Sequence, residues 1–242
     1  AEGLVLSGLD ELNISLDGPA ELHDKIRSQE GLFNRIACGI ERINYFKMRH
    51  CLKNPLIGLQ CTLNSENYRF LDKLLAVAKK LKVDSLTFHN LIFINEKMLE
   101  EQKKQDLLLK ADSKGWEGFL FDPGIDARIL QEKLKDVFAS AKGLNIDLYP
   151  NLSPAALKEY YDNPQGVPRG FARRCVSPWI DAYLFYDGRV KPCLNSSYSF
   201  GNIKDTPFVD IWNSEAAVNF RRQLKENKIF PACPKCTELY RY

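Results

Sequence analysis

Two rhythms of apolar and polar residues alternate along the first 95 positions. Short apolar runs at residues 12–16, 56–63 and 83–94 predict β-strands, the first of them stopped by the turn Asp17-Gly18-Pro19. Between the runs, apolar residues return at helical intervals. Residues 32–46 carry Phe33, Ile36, Ile40, Ile43 and Tyr45, and residues 68–81 carry Phe70, Leu71, Leu74, Leu75, Val77, Ala78 and Leu81. Asn64-Ser65-Glu66-Asn67 supplies helix-start chemistry ahead of the second. Strand–helix–strand–helix–strand at this spacing predicts parallel pairing through right-handed crossovers, so the expected fold class is α/β.

The rhythm breaks over residues 95–124. Residues 96–110 are charged and helix-prone, and Gly115, Gly118, Pro123 and Gly124 punctuate the rest of this segment. A solvated surface excursion is the plain reading, and a lid over the open face of the sheet is the functional one. A further helix is expected over 125–142 and a fourth strand over 145–149. Ser153 as cap and Pro154 at the first helical position predict a short helix reaching Tyr161. The breakers from Asn163 to Gly170 mark a boundary. The expected domains are therefore residues 1–162, with the insertion at about 95–124, and residues 163–242.

In the second region, residues 180–194 alternate and turn at Tyr186-Asp187-Gly188-Arg189, a hairpin signal. Residues 208–212 and 216–224 read as helical pieces. The hairpin brings Cys175, ahead of its first strand, towards Cys193, at the end of its second. The later helical piece leads back to Cys233 and Cys236. Four thiolates can close a tetrahedral sulfur shell, which selects zinc or an iron–sulfur cluster over hard cations. A region of roughly 70 residues has little core of its own, so such a staple contributes much of its stability.

Composition narrows the classes. At 242 residues, 45% hydrophobic and 27% charged, the chain is an ordinary globular one. It has no apolar run long enough to span a membrane, and residues 1–9 do not read as a signal peptide. A net charge of +3 from scattered basic residues leaves no footprint for nucleic acid. Of the seven cysteines, Cys38, Cys51 and Cys61 sit in apolar contexts and are expected as reduced core thiols, consistent with a cytoplasmic chain.

Two sets of residues carry a resemblance. Leu12-Asn13-Ile14-Ser15-Leu16-Asp17-Gly18-Pro19, with His23-Asp24-Lys25-Ile26-Arg27 and Gly31-Leu32-Phe33, resembles the fourth strand and following helix of a radical S-adenosylmethionine (SAM) enzyme. Cys175 with Pro178-Trp179, Asp187-Gly188-Arg189-Val190-Lys191-Pro192-Cys193, Gly201-Asn202-Ile203, Asp210-Ile211-Trp212-Asn213 and Cys233-x2-Cys236 resembles the auxiliary cluster domain of the SPASM/twitch group. The resemblance implies the second half of a partial (β/α)6 TIM-like barrel, strands four to six, and a small C-terminal hairpin-and-helix domain rich in cysteine. Two hallmarks are missing: the Cys-x3-Cys-x2-Cys motif that holds the SAM-cleaving cluster, and the glycine-rich strand-two motif. The chain is thus expected to be the C-terminal portion of a longer protein and inactive alone. Thr237 to Tyr242 contains no cysteine, which implies one auxiliary cluster rather than two.

For the parent protein the resemblance implies an oxidoreductase that uses SAM and a second 4Fe–4S cluster to make a 5′-deoxyadenosyl radical. That radical would take hydrogen from a peptide or small metabolite, with flavodoxin or ferredoxin as reductant. Cys175, Cys193, Cys233 and Cys236 would hold an auxiliary 4Fe–4S cluster for electron transfer or structure, since four cysteines leave no open iron. Asn13 and Ser15 share a strand face and would meet SAM, and Arg27 would face a carboxylate. All three read equally as ordinary polar residues and a surface charge. Asp17 is expected as a turn former, His89 as a satisfied core histidine, and Trp179 and Trp212 as packing. The open edge of strand 12–16 is expected to self-associate or to be covered by the N-terminal residues. The alternative from another class is a binding module stapled by zinc, and zinc would also substitute for iron in aerobic preparations.

Overall fold

The computed structural model describes residues 1–241. In chain order its elements are α1 (Glu2–Leu6), β1 (Glu11–Ser15), α2 (Ala20–Ile26), α3 (Leu32–Arg49), β2 (Leu56–Thr62), α4 (Leu71–Lys80), β3 (Ser85–His89), α5 (Glu96–Leu108), α6 (Lys114–Glu117), α7 (Ala127–Ala139) and β4 (Asn145–Tyr149). There follow α8 (Pro154–Asp162), α9 (Ser177–Ile180), β5 (Tyr183–Leu184), β6 (Arg189–Lys191), β7 (Gly201–Asn202), α10 (Phe208–Trp212), α11 (Glu215–Asn227) and two 3-10 turns, Cys233–Lys235 and Thr237–Tyr240. They group into two compact units, Ala1–Leu91 with Pro123–Pro154, and Ile92–Asp122 with Ala155–Tyr242.

The first unit is a four-stranded parallel sheet in the order β1-β2-β3-β4. The α/β expectation holds, with a fourth strand in the same sheet where the resemblance implied three. Register explains its two faces. Leu59 stands opposite Ile14 and Leu86, Cys61 stands opposite Phe88, and Leu59, Cys61, Leu86 and Phe88 are wholly buried. Ile40 and Ile43 of α3, Leu71, Leu74 and Ala78 of α4, and Leu130, Leu134 and Val137 of α7 supply the matching apolar residues. The alternate positions are polar: the row Asn13, Gly58, Ser85, Asn145 and the row Ser15, Gln60, Thr87, Asp147. Asn13, Ser15, Asn145 and Asp147 are exposed. Parallel sheets covered on both faces read as continuous hydrophobic runs; a polar face opposite an apolar one is what the lumen of an open barrel requires.

Several expectations shift. Of the three scattered cysteines only Cys61 lies in the core; Cys38, on an outward position of α3, and Cys51, in the left-handed turn after that helix (φ +53°), are exposed. Strand β3 stops at His89 rather than at residue 94. Asn90 is buried there, donating its backbone N–H to Tyr149 O at 2.7 Å and its side-chain amide to Pro150 O at 3.2 Å. α1 packs on α3, and among the described residues nothing pairs with the outer edge of β1.

The second unit has a three-stranded antiparallel sheet, β5-β6-β7, whose third strand the alternation did not signal. The Asp187-Gly188 turn closes the expected hairpin: Gly188 takes φ +90°, and Asp187 accepts from the backbone N–H of Arg189 at 3.1 Å and from its Nε at 2.6 Å. Asn202 donates from β7 to Asp187 O at 3.0 Å, and a β-carbon on Gly188 would meet the Asn202 amide oxygen at 2.4 Å. Phe200, Phe220 and Phe230 pack with Val190, Ile211 and Leu224 into its core. The two compact units divide the chain differently from the boundary drawn at residue 162. The segment Ile92–Asp122 belongs here, because Ile94, Met98, Leu99 and Trp116 form one apolar cluster with Ala232. Nor is α5 a solvated excursion: Gln102, Gln105 and Asp106 are buried along it, while Leu107 and Leu108 are 74% and 72% exposed. Charge along α5 suggested solvent, but its buried side sets Met98 and Leu99 beside the hydrogen-bonded pair Gln102 and Asp106.

Candidate metal centre and the polar face of the sheet

Cys175, Cys193, Cys233 and Cys236 line one cavity of about 40 Å³ in the second unit. Its other walls include Trp116, Phe220, Leu224, Phe230 and Leu239. Cys175 precedes α9, Cys193 comes after β6, and Cys233 and Cys236 bracket a 3-10 turn in which Cys236 N–H donates to Cys233 O at 2.9 Å. Burial pushes every one of these thiols up, Cys193 to about 11, and neighbouring cysteines raise Cys193, Cys233 and Cys236 further. Opposing that, each sulfur accepts a backbone hydrogen bond: Cys175 from Ser177, Cys193 from Ser196 and Asn195, Cys233 from Phe230, and Cys236 from Glu238. Apolar walls disfavour bare thiolates, and amide donors aimed at sulfur favour them once a metal neutralises the charge.

Four thiols are a donor set for zinc or for an iron–sulfur cluster. A single zinc draws its sulfurs to about 2.3 Å from one point. Among the described residues no three Cys, His, Asp or Glu side chains converge closely enough to hold one metal ion.

A buried polar chain braces this site. Gln102 Oε1 accepts Ala232 N–H at 3.1 Å, one residue before Cys233, while Gln102 Nε2 donates to Asp106 Oδ1 at 2.8 Å. Ser113 Oγ donates to Asp106 Oδ2 at 2.5 Å. Burial raises the Asp106 carboxyl despite those two donors. On the other side Lys235, wholly buried, donates to Gly166 O at 3.2 Å and stands 4.3 Å over the Tyr160 ring, whose hydroxyl donates to Lys235 O at 3.0 Å. Burial pulls the Lys235 ammonium down to about 7. None of these bracing residues was legible as functional. An i, i+4 Gln102–Asp106 pair inside a helix-prone charged run looks like any solvated face.

In the first unit, Asn13 and Ser15 lie as expected on one strand face, exposed, with the Asn13 amide donating to Glu11 at 2.9 Å. Arg27 is placed differently: its Nε donates to Asp17 Oδ2 at 2.6 Å, so its carboxylate partner in this structure is Asp17. Asp17 is more than a turn former. Only 2% exposed, it also accepts Thr62 N–H at 3.4 Å. His23 Nδ1 stands 3.1 Å from the Asp17 amide nitrogen and 3.6 Å from its carboxylate, an acceptor for the first when neutral and a donor to the second when protonated. Burial acts to raise Asp17, but His23 and Arg27 outweigh it and hold the carboxyl below its usual value. His89 ends β3 on the polar face. Burial lowers its pKa, its ring meets Tyr149 edge-on at 5.7 Å, and its Nε2 has no hydrogen-bond partner, so it is not the satisfied core histidine expected. Trp212 packs against Phe200 and Arg221, whereas Trp179 is 42% exposed.

Residues 175–237 match the SPASM family, an iron–sulfur cluster-binding domain. Over 218 residues the chain is 27% identical to Fe-coproporphyrin III synthase of Methanosarcina barkeri, covering 85% of this chain and 49% of the relative. It is 25% identical over 216 residues to a cysteine-type anaerobic sulfatase-maturating enzyme of Clostridium novyi, covering 86% and 50%. The solved structure of Streptococcus suis SuiB bound to S-adenosylmethionine shares the fold, with TM-score 0.53 and 12% identity over 94% of this chain and 48% of that one. The chain spans about half the length of the curated relatives it matches. Residues 175–237 thus carry a SPASM-type iron–sulfur cluster-binding segment, and the chain as a whole is similar to enzymes of the radical SAM, SPASM-containing kind.

Proposed function

We propose that Cys175, Cys193, Cys233 and Cys236 hold one auxiliary 4Fe–4S cluster, and that the protein acts as a radical SAM oxidoreductase together with the half its relatives carry beyond the matched region. The observation that carries the reading is that four half-buried thiols, in a segment matching an iron–sulfur cluster-binding family, line one cavity, each accepting a backbone hydrogen bond. When bound, the cluster supplies one-electron transfer, and SAM with its own cluster supplies a hydrogen-abstracting radical.

This chain's own residues bind and shape. The four cysteines hold iron, and Trp116, Phe220 and Phe230 keep water from it. Asn13 and Ser15, on the polar face of the sheet, offer hydrogen bonds to SAM near the carboxyl ends of the strands, where parallel sheets take ligands. Arg27 acts through Asp17, fixing the turn after β1. The substrate is a peptide or small metabolite, and the reductant a flavodoxin or ferredoxin.

The test is iron, sulfide and zinc content per chain after anaerobic reconstitution. About four irons and four sulfides, with a broad absorption at about 400 nm that Cys233→Ala abolishes, is the expected result. One tightly held zinc and no iron uptake without oxygen would replace the cluster with a structural staple.

A further inference from the structure

Cys175 lines two hollows. It belongs to the ring around the sulfur cavity, and it also lines an open cleft of about 300 Å³ walled by Arg174, Val176, Trp179, Leu224, Lys225 and Lys228. The charged side chains of that cleft are all cations, and all three are exposed. Trp179 in the same lining is 42% exposed and the neighbouring Ile180 58%, which adds accessible apolar surface to the cationic cleft. The backbone joins the two sides, Cys175 N–H donating to Lys228 O at 3.4 Å.

An exposed aromatic beside charges of one sign is the anatomy of a small, transient protein interface steered by charge. Three cations are too few to track a phosphate backbone, where many contacts are needed for affinity. We propose that the cleft at Cys175 is the docking site of an acidic electron-carrier protein. One electron leaves the reduced carrier, which is oxidised, and reaches iron held by the Cys175 sulfur, which is reduced; no bond or proton moves. Docking stands on the cleft itself, while electron exchange rests on the proposed auxiliary cluster.

The experiment titrates the anaerobically reconstituted chain with an acidic plant-type 2Fe–2S ferredoxin in a calorimeter, at about 50 mM and about 300 mM salt. The triple variant Arg174→Glu, Lys225→Glu, Lys228→Glu should weaken low-salt binding ~10-fold or more and remove its salt dependence. Lys80→Glu, an exposed reversal on α4, should leave binding unchanged. In stopped flow, the rate of electron transfer from reduced ferredoxin should fall in parallel with affinity. Should the triple variant fail to load iron, Lys225→Glu alone, at an exposed position of α11, should still cost ~3-fold in affinity. Equal losses from Lys80→Glu, undiminished binding by the triple variant, or equally tight binding of a single-stranded oligothymidylate would overturn the proposal. Salt-sensitive, cleft-dependent binding by a chain that takes up no iron would sink the cluster reading and leave the docking site standing.

Discussion

The two units bury different things. Of the twelve buried polar or charged residues among those described, four lie in the first unit (Asp17, His23, Asn67, Asn90) and eight in the second, including Gln102, Asp106, Ser177 and Lys235. The first unit sets a wholly apolar sheet face against the apolar stripes of α3, α4 and α7, so area removed from water holds it. The second has short strands of two or three residues, four thiols around a cavity and a hydrogen-bonded polar brace. Its stability depends on every member of that arrangement being present, because a half-satisfied buried polar network costs more than an apolar one.

Removing the metal tests this contrast most severely. Tryptophan emission reports the second unit alone, because all three tryptophans, Trp116, Trp179 and Trp212, lie there. Chelation of the reconstituted protein should cost that unit ~5 kcal/mol or more and shift its tryptophan-detected unfolding. The part of the far-UV circular dichroism transition that does not follow the tryptophans, which belongs to the first unit, should unfold as before. A single coincident transition that moves as one on chelation would break the comparison.

Next in size is a cavity in the sheet. Leu59 is wholly buried between Ile14 and Leu86, and Leu59→Ala should cost about 3 kcal/mol, read in the far-UV transition. Iron content should not change. The pair of experiments makes the units separable in both directions.

The same contrast decides what was legible in the sequence. In the first unit one residue type does one thing: Leu59, Leu86 and Phe88 fill one buried face, so apolar runs and helical spacing located the strands and α3, α4 and α7, though not the short α1 and α2. Helix ends moved by two or three residues, and the largest misjudgement of length is where a buried Asn90 ends β3 before the apolar Phe93 and Ile94, which serve the other unit. In the second unit the cysteines and the Asp187-Gly188 turn were legible because thiols and left-handed glycines have few other uses. α5 was not. Beyond Met98 and Leu99 its buried face is Gln102, Gln105 and Asp106, and hydrophobic periodicity does not mark a helix side that buries amides and a carboxyl. Asp17 was hidden for the same reason: an Asp before Gly and Pro reads as a turn, and only the fold brings His23 and Arg27 to it.

Gln102→Leu sharpens the contrast at smaller scale. It keeps the bulk but strips the Ala232 N–H of its acceptor and Asp106 of a donor, so about 2 kcal/mol should be lost from the tryptophan-detected transition. Iron should also leave faster to a chelator, since the residue before Cys233 is no longer held. Full stability with unchanged iron release would show that the brace does not position the cysteine turn.

The smallest effect is the sign of the response to acid, which the two buried carboxylates set in opposite directions. Asp17 is held below its ordinary value, so the unfolded chain takes up its proton first as pH falls. Its contribution to the first unit is complete above the usual 3.8 and is lost as pH drops towards the folded pKa. Asp106 is raised by burial, so in the second unit the folded state takes up its proton first, and stability from that carboxyl grows as pH falls through the folded pKa towards 3.8. Arg27→Ala should remove about 1 kcal/mol from the first unit near neutrality, a value reduced by the partial exposure of Arg27, and should move its acid loss to higher pH. Asp106→Asn should leave that profile alone and flatten the opposite slope in the second unit. Both slopes can be read from far-UV and tryptophan melts of one protein across one pH series, and slopes of the same sign would mean that the carboxylates are not in the environments described.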